Sequence, residues 1–136
     1  MNWKAWLITL GASLTLGTAL AQAPAADWPS KTVKILVPYA PGGSSDTLGR
    51  IIAQQLQTQL KQSFVVENRA GGGGTIGSAA VAKNAPDGYS LVVSGIGSHV
   101  IAPATVKVFN PMDDFSHIAL LGGPPTVLVV HPSVPA

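Results

Sequence analysis

Three times between Thr32 and Ser98 an apolar run breaks off into glycines, and this repeat limits the fold more than any other feature of the sequence. The first run, Thr32-Val33-Lys34-Ile35-Leu36-Val37, has the length and β-branched content of a buried strand, and Pro38 to Ser45 ends it in a turn. From Asp46 onward Leu48, Ile51, Ile52, Leu56 and Leu60 recur at helical spacing, while Arg50, Gln54, Gln55, Gln57 and Lys61 fall mostly elsewhere on the wheel. A second unit follows: strand Phe64 to Asn68, the glycines Gly71 to Gly74, and a small-residue helix over Ile76 to Lys83. Pro86-Asp87-Gly88 then turns the chain into a third strand, Ser90 to Ser94, and a third glycine turn, Gly95-Ile96-Gly97-Ser98. Strands alternating with helices at intervals of about 30 residues predict an α/β fold, a mostly parallel sheet with flanking helices and right-handed crossovers. Such a sheet places all three glycine turns on one edge. Two more apolar runs, Ser116 to Leu121 and Thr126 to Val130, are further strand candidates, and His131 to Ala136 has the composition of a linker.

The amino-terminal segment has a different pattern. Met1 to Trp6 carries one charge, Lys4, and Leu7 to Leu20 is uncharged and largely apolar, ending in small residues. This is the pattern of a secretory signal peptide, with cleavage expected after Ala21, because cleavage after Ala23 would leave Pro24 first. An apolar run of about 14 residues reaches about 20 Å as a helix, short of a membrane core of about 30 Å. The expected domains are therefore a signal peptide over 1–21, an α/β lobe over 22–131, and a linker from 132 onward.

Composition removes several classes of function. Only 10% of the residues are charged, against roughly 25% in an average soluble domain, which excludes a solvated disordered chain. The 136 residues suffice for one domain of ordinary size. With no cysteine there are no disulfides, thiolate metal sites or lipidated cysteine. The lysines and arginines are scattered singly and the net charge is +2, so no basic stripe is available for nucleic acid.

In an open parallel sheet, ligands sit beyond the carboxyl ends of the strands, where helix N-termini present unpaired N–H groups to an anion. The first turn, Tyr39-Ala40-Pro41-Gly42-Gly43-Ser44-Ser45-Asp46, is the leading candidate, with the amides near Gly42 and Gly43 expected to point at the guest. Asp46 is expected to satisfy first-turn amides, and Tyr39 to pack. The third turn, Ser94-Gly95-Ile96-Gly97-Ser98-His99, offers two hydroxyls and an imidazole as an opposite wall. Arg50 and Arg69 are expected on the solvated surface. Gly72-Gly73-Gly74-Thr75-Ile76-Gly77 fits G-x-G-x-x-G, but the acidic residue a dinucleotide site needs about 20 positions later is replaced by Ser94-Gly95-Ile96-Gly97, so no cofactor is expected. A phosphate-loop lysine, a G-x-S-x-G elbow and H-E-x-x-H spacing are all absent. His99, His117 and His131 therefore read as structural, and Asp113-Asp114 as a solvated capping pair. A secreted α/β enzyme of nucleotide-binding or hydrolase type is the weaker alternative to a binding protein.

The blocks Trp28-Pro29-Ser30-Lys31, Val37-Pro38-Tyr39-Ala40-Pro41-Gly42-Gly43 with Asp46, Val66-Glu67-Asn68-Arg69-Ala70-Gly71, Ala85-Pro86-Asp87-Gly88-Tyr89, Asp114-Phe115 and Val129-Val130-His131-Pro132-Ser133 occur in a specific order. In that order and spacing the chain resembles the periplasmic solute-binding proteins of tripartite tricarboxylate transporters, the Bug family. The resemblance implies the first lobe of a type II periplasmic-binding fold, incomplete here. It implies a monomer that closes on a small carboxylate and delivers it to membrane permease subunits; a solute-sensing subunit for a membrane signalling protein uses the same pocket. It also implies that the first and third turns lie on the ligand side, where backbone groups and bound waters hold the carboxylate. Because members run to more than twice this length, the chain is expected to be a fragment without its second wall. Two or three backbone donors at about 1.5–3 kcal/mol each hardly exceed an association cost of about 4–15 kcal/mol, so half a cleft should bind weakly.

Overall fold

The computed structural model describes residues 27–123, 127, 129 and 131–134. The segment read as a signal peptide lies outside the described residues. Strand β1 (Val33–Val37) is followed by helix α1 (Ser44–Leu60), strand β2 (Phe64–Asn68), a single 3-10 turn (Gly72–Gly74), helix α2 (Thr75–Ala82) and strand β3 (Ser90–Val92). A π-helical turn (Gly97–Ile101) then runs into the short α3 (Ala102–Thr105). The three strands form one parallel sheet in the order β2-β1-β3.

The central position of β1 follows from its sequence, which is apolar on both faces apart from Lys34. Val33, Ile35 and Val37 point to one face and make the main core with Phe64, Val93 and Ala53 of α1. Leu36 points to the other face, where its Cδ2 would lie 2.8 Å from a Cβ at Gly77 of α2. The helices thus cover opposite faces, the arrangement right-handed crossovers require when the chain steps from β1 to β2 and back across to β3. Within α1 the buried line runs through Asp46, Gly49 and Ala53, small enough for the helix to lie tightly on Val37 and Val93. Ile51, expected on the packed face, is 50% exposed, because the sheet contacts the helix along the small residues beside it.

At the amino edge, Trp28 packs edge-on against Phe64 and at a tilt against Tyr89, with ring centroids 6.4 and 6.2 Å away, and the Tyr89 hydroxyl accepts the Ser30 N–H at 3.0 Å. This closes that edge and leaves the carboxyl edge for function.

The carboxyl-terminal part departs from the expectation. Ser116 to Leu121 forms no strand, and Ile118 and Leu120 are 79% and 95% exposed. An apolar run becomes a strand only where a ladder partner receives it, and among the described residues nothing pairs with the outer edge of β3. The candidate over 126–130 falls mostly outside the described residues. Strand β3 itself stops at Val92, two residues short, although Val93 N–H still donates to the Leu36 carbonyl at 2.9 Å. Among the described residues no helix is long and apolar enough to cross a membrane.

Candidate functional site

Strands β1 and β3 are neighbours whose following segments lead away from one another, one into α1 and the other into the π turn. This is the switch point of the sheet, the place beyond the strand ends where open parallel sheets bind their ligands. Tyr39 seams the three turns together. Its ring lies 3.4 Å from where a Cβ on Gly74 would stand, and its hydroxyl 2.8 Å from a Cβ on Gly97. Gly74, at φ 96° and with Ser98 Cβ only 2.6 Å from its missing Cβ, admits no side chain.

The first turn carries the donors. Gly43, the N-cap of α1, is extended and supplies no side-chain cap, and the first backbone bond of the helix runs from Thr47 N–H to the Gly43 carbonyl at 3.0 Å. The helix itself therefore provides no partner for the amides of Ser44, Ser45 and Asp46. Gly42, at φ 91° with open space around it, departs from the sequence expectation: its N–H already donates to Asp46 Oδ2 at 2.9 Å. The available donors consequently lie one step further along the chain, inside the helix.

Asp46 also differs from its expected role. Its carboxylate is 4% exposed and, besides reaching back to Gly42, accepts from Asn68 Nδ2 at 2.9 Å and from Arg50 Nε at 3.1 Å. Arg50 Nη2 lies 3.1 Å from Asp46 Oδ1 and donates to Asn68 Oδ1 at 3.0 Å, and Asn68 Nδ2 also donates to the Tyr39 carbonyl at 3.2 Å. The Arg50 contact first, then the Gly42 amide and the Asn68 amide, hold the Asp46 pKa down at about 2 against the opposing effect of burial. Arg50 is thus part of an ordered network and not merely a solvated side chain. Sequence reasoning missed Asn68, although the i,i+4 spacing of Asp46 and Arg50 was a legible pairing signal.

The third turn is built differently. Ser98 is fully buried; its Oγ accepts from Gly95 N–H at 3.2 Å and lies 3.0 Å from His99 Nδ1. His99 is 8% exposed and sits against Phe115 and Phe109, with centroids 4.9 and 5.4 Å away. Burial lowers its pKa, with repulsion from His117 second, which favours the neutral ring. His99 thus anchors the loop that carries Phe109 and Phe115, in line with a structural role, while Ser98, expected to offer its hydroxyl to the wall, uses it inside the turn on Gly95 and His99. The Gly95 backbone is occupied as well, its N–H by Ser98 Oγ and its carbonyl by His99 N–H at 2.9 Å, so the turn is left with Ser94 and the 64% exposed Ile96 on its outer side.

A separate hollow of about 200 Å³, bordered by Lys34, Glu67, Arg69 and Asn84, lies on the α2 face of the sheet. Among the described residues no cluster of His, Asp and Glu could hold a metal ion.

The sheet switch point is thus faced by helix amides without helical partners, an arrangement suited to holding an anion. Comparison with known proteins gives the family. Residues 48–136 match the family described as tripartite tricarboxylate transporter family receptor, and the chain belongs to that family. Protein BugT of Bordetella pertussis is 35% identical over 98% of this chain and 42% of its own length. A protein of Agrobacterium vitis, from the TAR-I ttuE-ttuC' intergenic region, is 38% identical over 95% of this chain and 37% of its own length. The chain thus spans about two-fifths of these relatives. Among solved structures, MatC of Rhodopseudomonas palustris with bound malate is 41% identical, with a TM-score of 0.65 over 68% of this chain and 32% of that one. A structure described as a periplasmic transporter is 38% identical, with a TM-score of 0.60 over 62% of this chain and 29% of that one. The fold is that of periplasmic binding proteins, and the family is one of receptors, not enzymes.

Proposed function

We propose that the chain supplies the carboxylate-holding lobe of an extracytoplasmic solute-binding protein, which captures a small organic acid and presents it to permease subunits of a tripartite transporter. The observation that carries this reading is the group of amides at Ser44, Ser45 and Asp46, left without helical partners at the sheet switch point. A carboxylate at this position would receive two or three N–H donors and the positive end of a helix 17 residues long. The neighbouring acid does not oppose it, because Arg50 balances the charge on Asp46. Ser94 and the chain at Ile96 and Gly97 form the opposite lip, and Tyr39, against Gly97, fixes the separation of the two. In this reading residues 1–21 direct export to the periplasm and are removed, residues 22–131 form the lobe, and residues 132–136 begin the passage to the remaining length that the relatives carry.

Malate is the appropriate probe, since a 41% identical structure holds it. In a titration of the purified protein followed by amide NMR, malate is expected to shift the Ser44, Ser45 and Asp46 resonances first, with a dissociation constant no tighter than about 1 mM. Shifts confined to the hollow at Lys34 and Arg69, or none at the first turn, would refute the assignment.

A further inference from the structure

An aspartate at the third position of a helix is a natural ligand for the amides of that helix's own first turn, which its carboxylate can reach. In this chain such a contact would fill the site from within. The carboxylate of Asp46 is instead engaged by Gly42 N–H, Asn68 Nδ2 and the Arg50 guanidinium. We propose that Asn68 and Arg50 are positioning residues that restrain Asp46 as an internal competitor and so keep the first-turn amides open for a carboxylate guest. The inference rests on the reading given above and adds to it a residue pair from outside the turn.

Asn68 is placed for this by the sheet. It is the last residue of β2, paired in register with Val37, where β1 passes into the turn. One side-chain amide donates to both Asp46 Oδ1 and the Tyr39 carbonyl, while its oxygen accepts from Arg50, so the turn, β2 and α1 share a single junction. Arg50 contributes from one helical turn further along α1, gripping the carboxylate through Nε and Nη2. Gly42 alone would leave Asp46 with one fixed donor and an uncompensated charge beside an anion site.

The test is a set of substitutions whose effects have opposite signs. Asn68→Leu and Arg50→Gln are each expected to weaken malate binding at least about fivefold and to slow hydrogen exchange at Ser44 and Ser45 in the absence of ligand, because Asp46 turns onto those amides. Adding Asp46→Asn to either variant should recover most of the lost affinity and restore fast exchange. A purely structural role predicts the reverse, further weakening in the double variant. Recovery that fails in both double variants, or single variants that bind malate like the parent, would overturn the proposal. Arg50 is 53% exposed at its side chain, so its variant remains informative where Asn68→Leu does not fold. If the parent itself shows no malate response at the first turn, the functional reading falls, and the inference is judged on exchange alone: unchanged protection of Ser44 and Ser45 in the single variants overturns it.

Discussion

The first and third turns have nearly the same ingredients, glycines and two serines at the carboxyl end of neighbouring parallel strands, yet they differ in where their polar groups go. In the first, both serines stand at the start of a regular helix 17 residues long, and the only buried polar side chain is a carboxylate directed back toward β2. In the third, the serine and histidine are buried, and the chain passes through a π turn into a helix of four residues. The residue before that turn, Ile96, is already helical at φ −54° and ψ −43°, whereas Gly43 is extended at φ −78° and ψ 171°. An extended cap directs the first-turn amides outward at the end of a long dipole; a short, irregular helix offers little of either effect. Similar composition therefore produces a donor set on one side and a packing post on the other.

The strongest way to break this contrast is at the seam. Replacing Gly74 with alanine forces a side chain into a left-handed conformation and drives its Cβ against Ser98 Cβ, 2.6 Å away. The expected loss of stability is about 2–4 kcal/mol by urea unfolding, and both turns should loosen together. Unfolding within about 0.5 kcal/mol of the parent would show that the turns are not packed as described.

A smaller substitution separates backbone from side chain in the first turn. Ser44 is the first helical residue, where proline is tolerated, and the extended Gly43 before it suits a following proline. Ser44→Pro removes one N–H and leaves the helix intact; Ser44→Ala removes a hydroxyl and leaves the N–H. Malate binding is expected to fall about tenfold in the proline variant and to change less than about twofold in the alanine variant. Equal losses in the two would transfer the donor role from the backbone to the hydroxyl.

Much of this arrangement was legible in the chain. The β-branched run through Val33 to Val37 and the helical spacing that follows fixed two elements, and the glycine turns fell on one edge because parallel strands require it. The first turn could be singled out as a candidate anion site because glycine and serine ahead of an amphipathic helix have a direct physical meaning. What could not be read were contacts distant in sequence. Asn68 lies 22 residues from Asp46, and only the register of β2 against β1 brings it to the carboxylate. The burial of His99 depends on Phe109 and Phe115, which return from a loop without regular structure. The strand expected at Ser116 to Leu121 failed for the same reason, since strand propensity names a capacity and the neighbouring ladder decides whether it is used.

The smallest expected effect, and the one that distinguishes the two turns most cleanly, is their response to acid. In the folded protein the His99 pKa is lowered from 6.5, so just below that pH the unfolded chain binds a proton more readily than the folded chain does. Its contribution is present in full above pH 6.5 and declines as the pH falls below that value toward the folded pKa. For Asp46 the folded pKa of about 2 lies below the ordinary 3.8, so its contribution is kept above pH 3.8 and is lost only as the pH falls from there through about 2. Between about pH 6 and pH 4, then, the third turn should weaken while the first holds. Hydrogen exchange should quicken, relative to the intrinsic rate at each pH, at Ser98 to Ile101 and around Phe115, but not at Gly42. In His99→Gln the acid-dependent part of that change should disappear. A parent and variant that lose stability equally between pH 8 and pH 5 would mean that protonation of His99 is not what loosens the third turn.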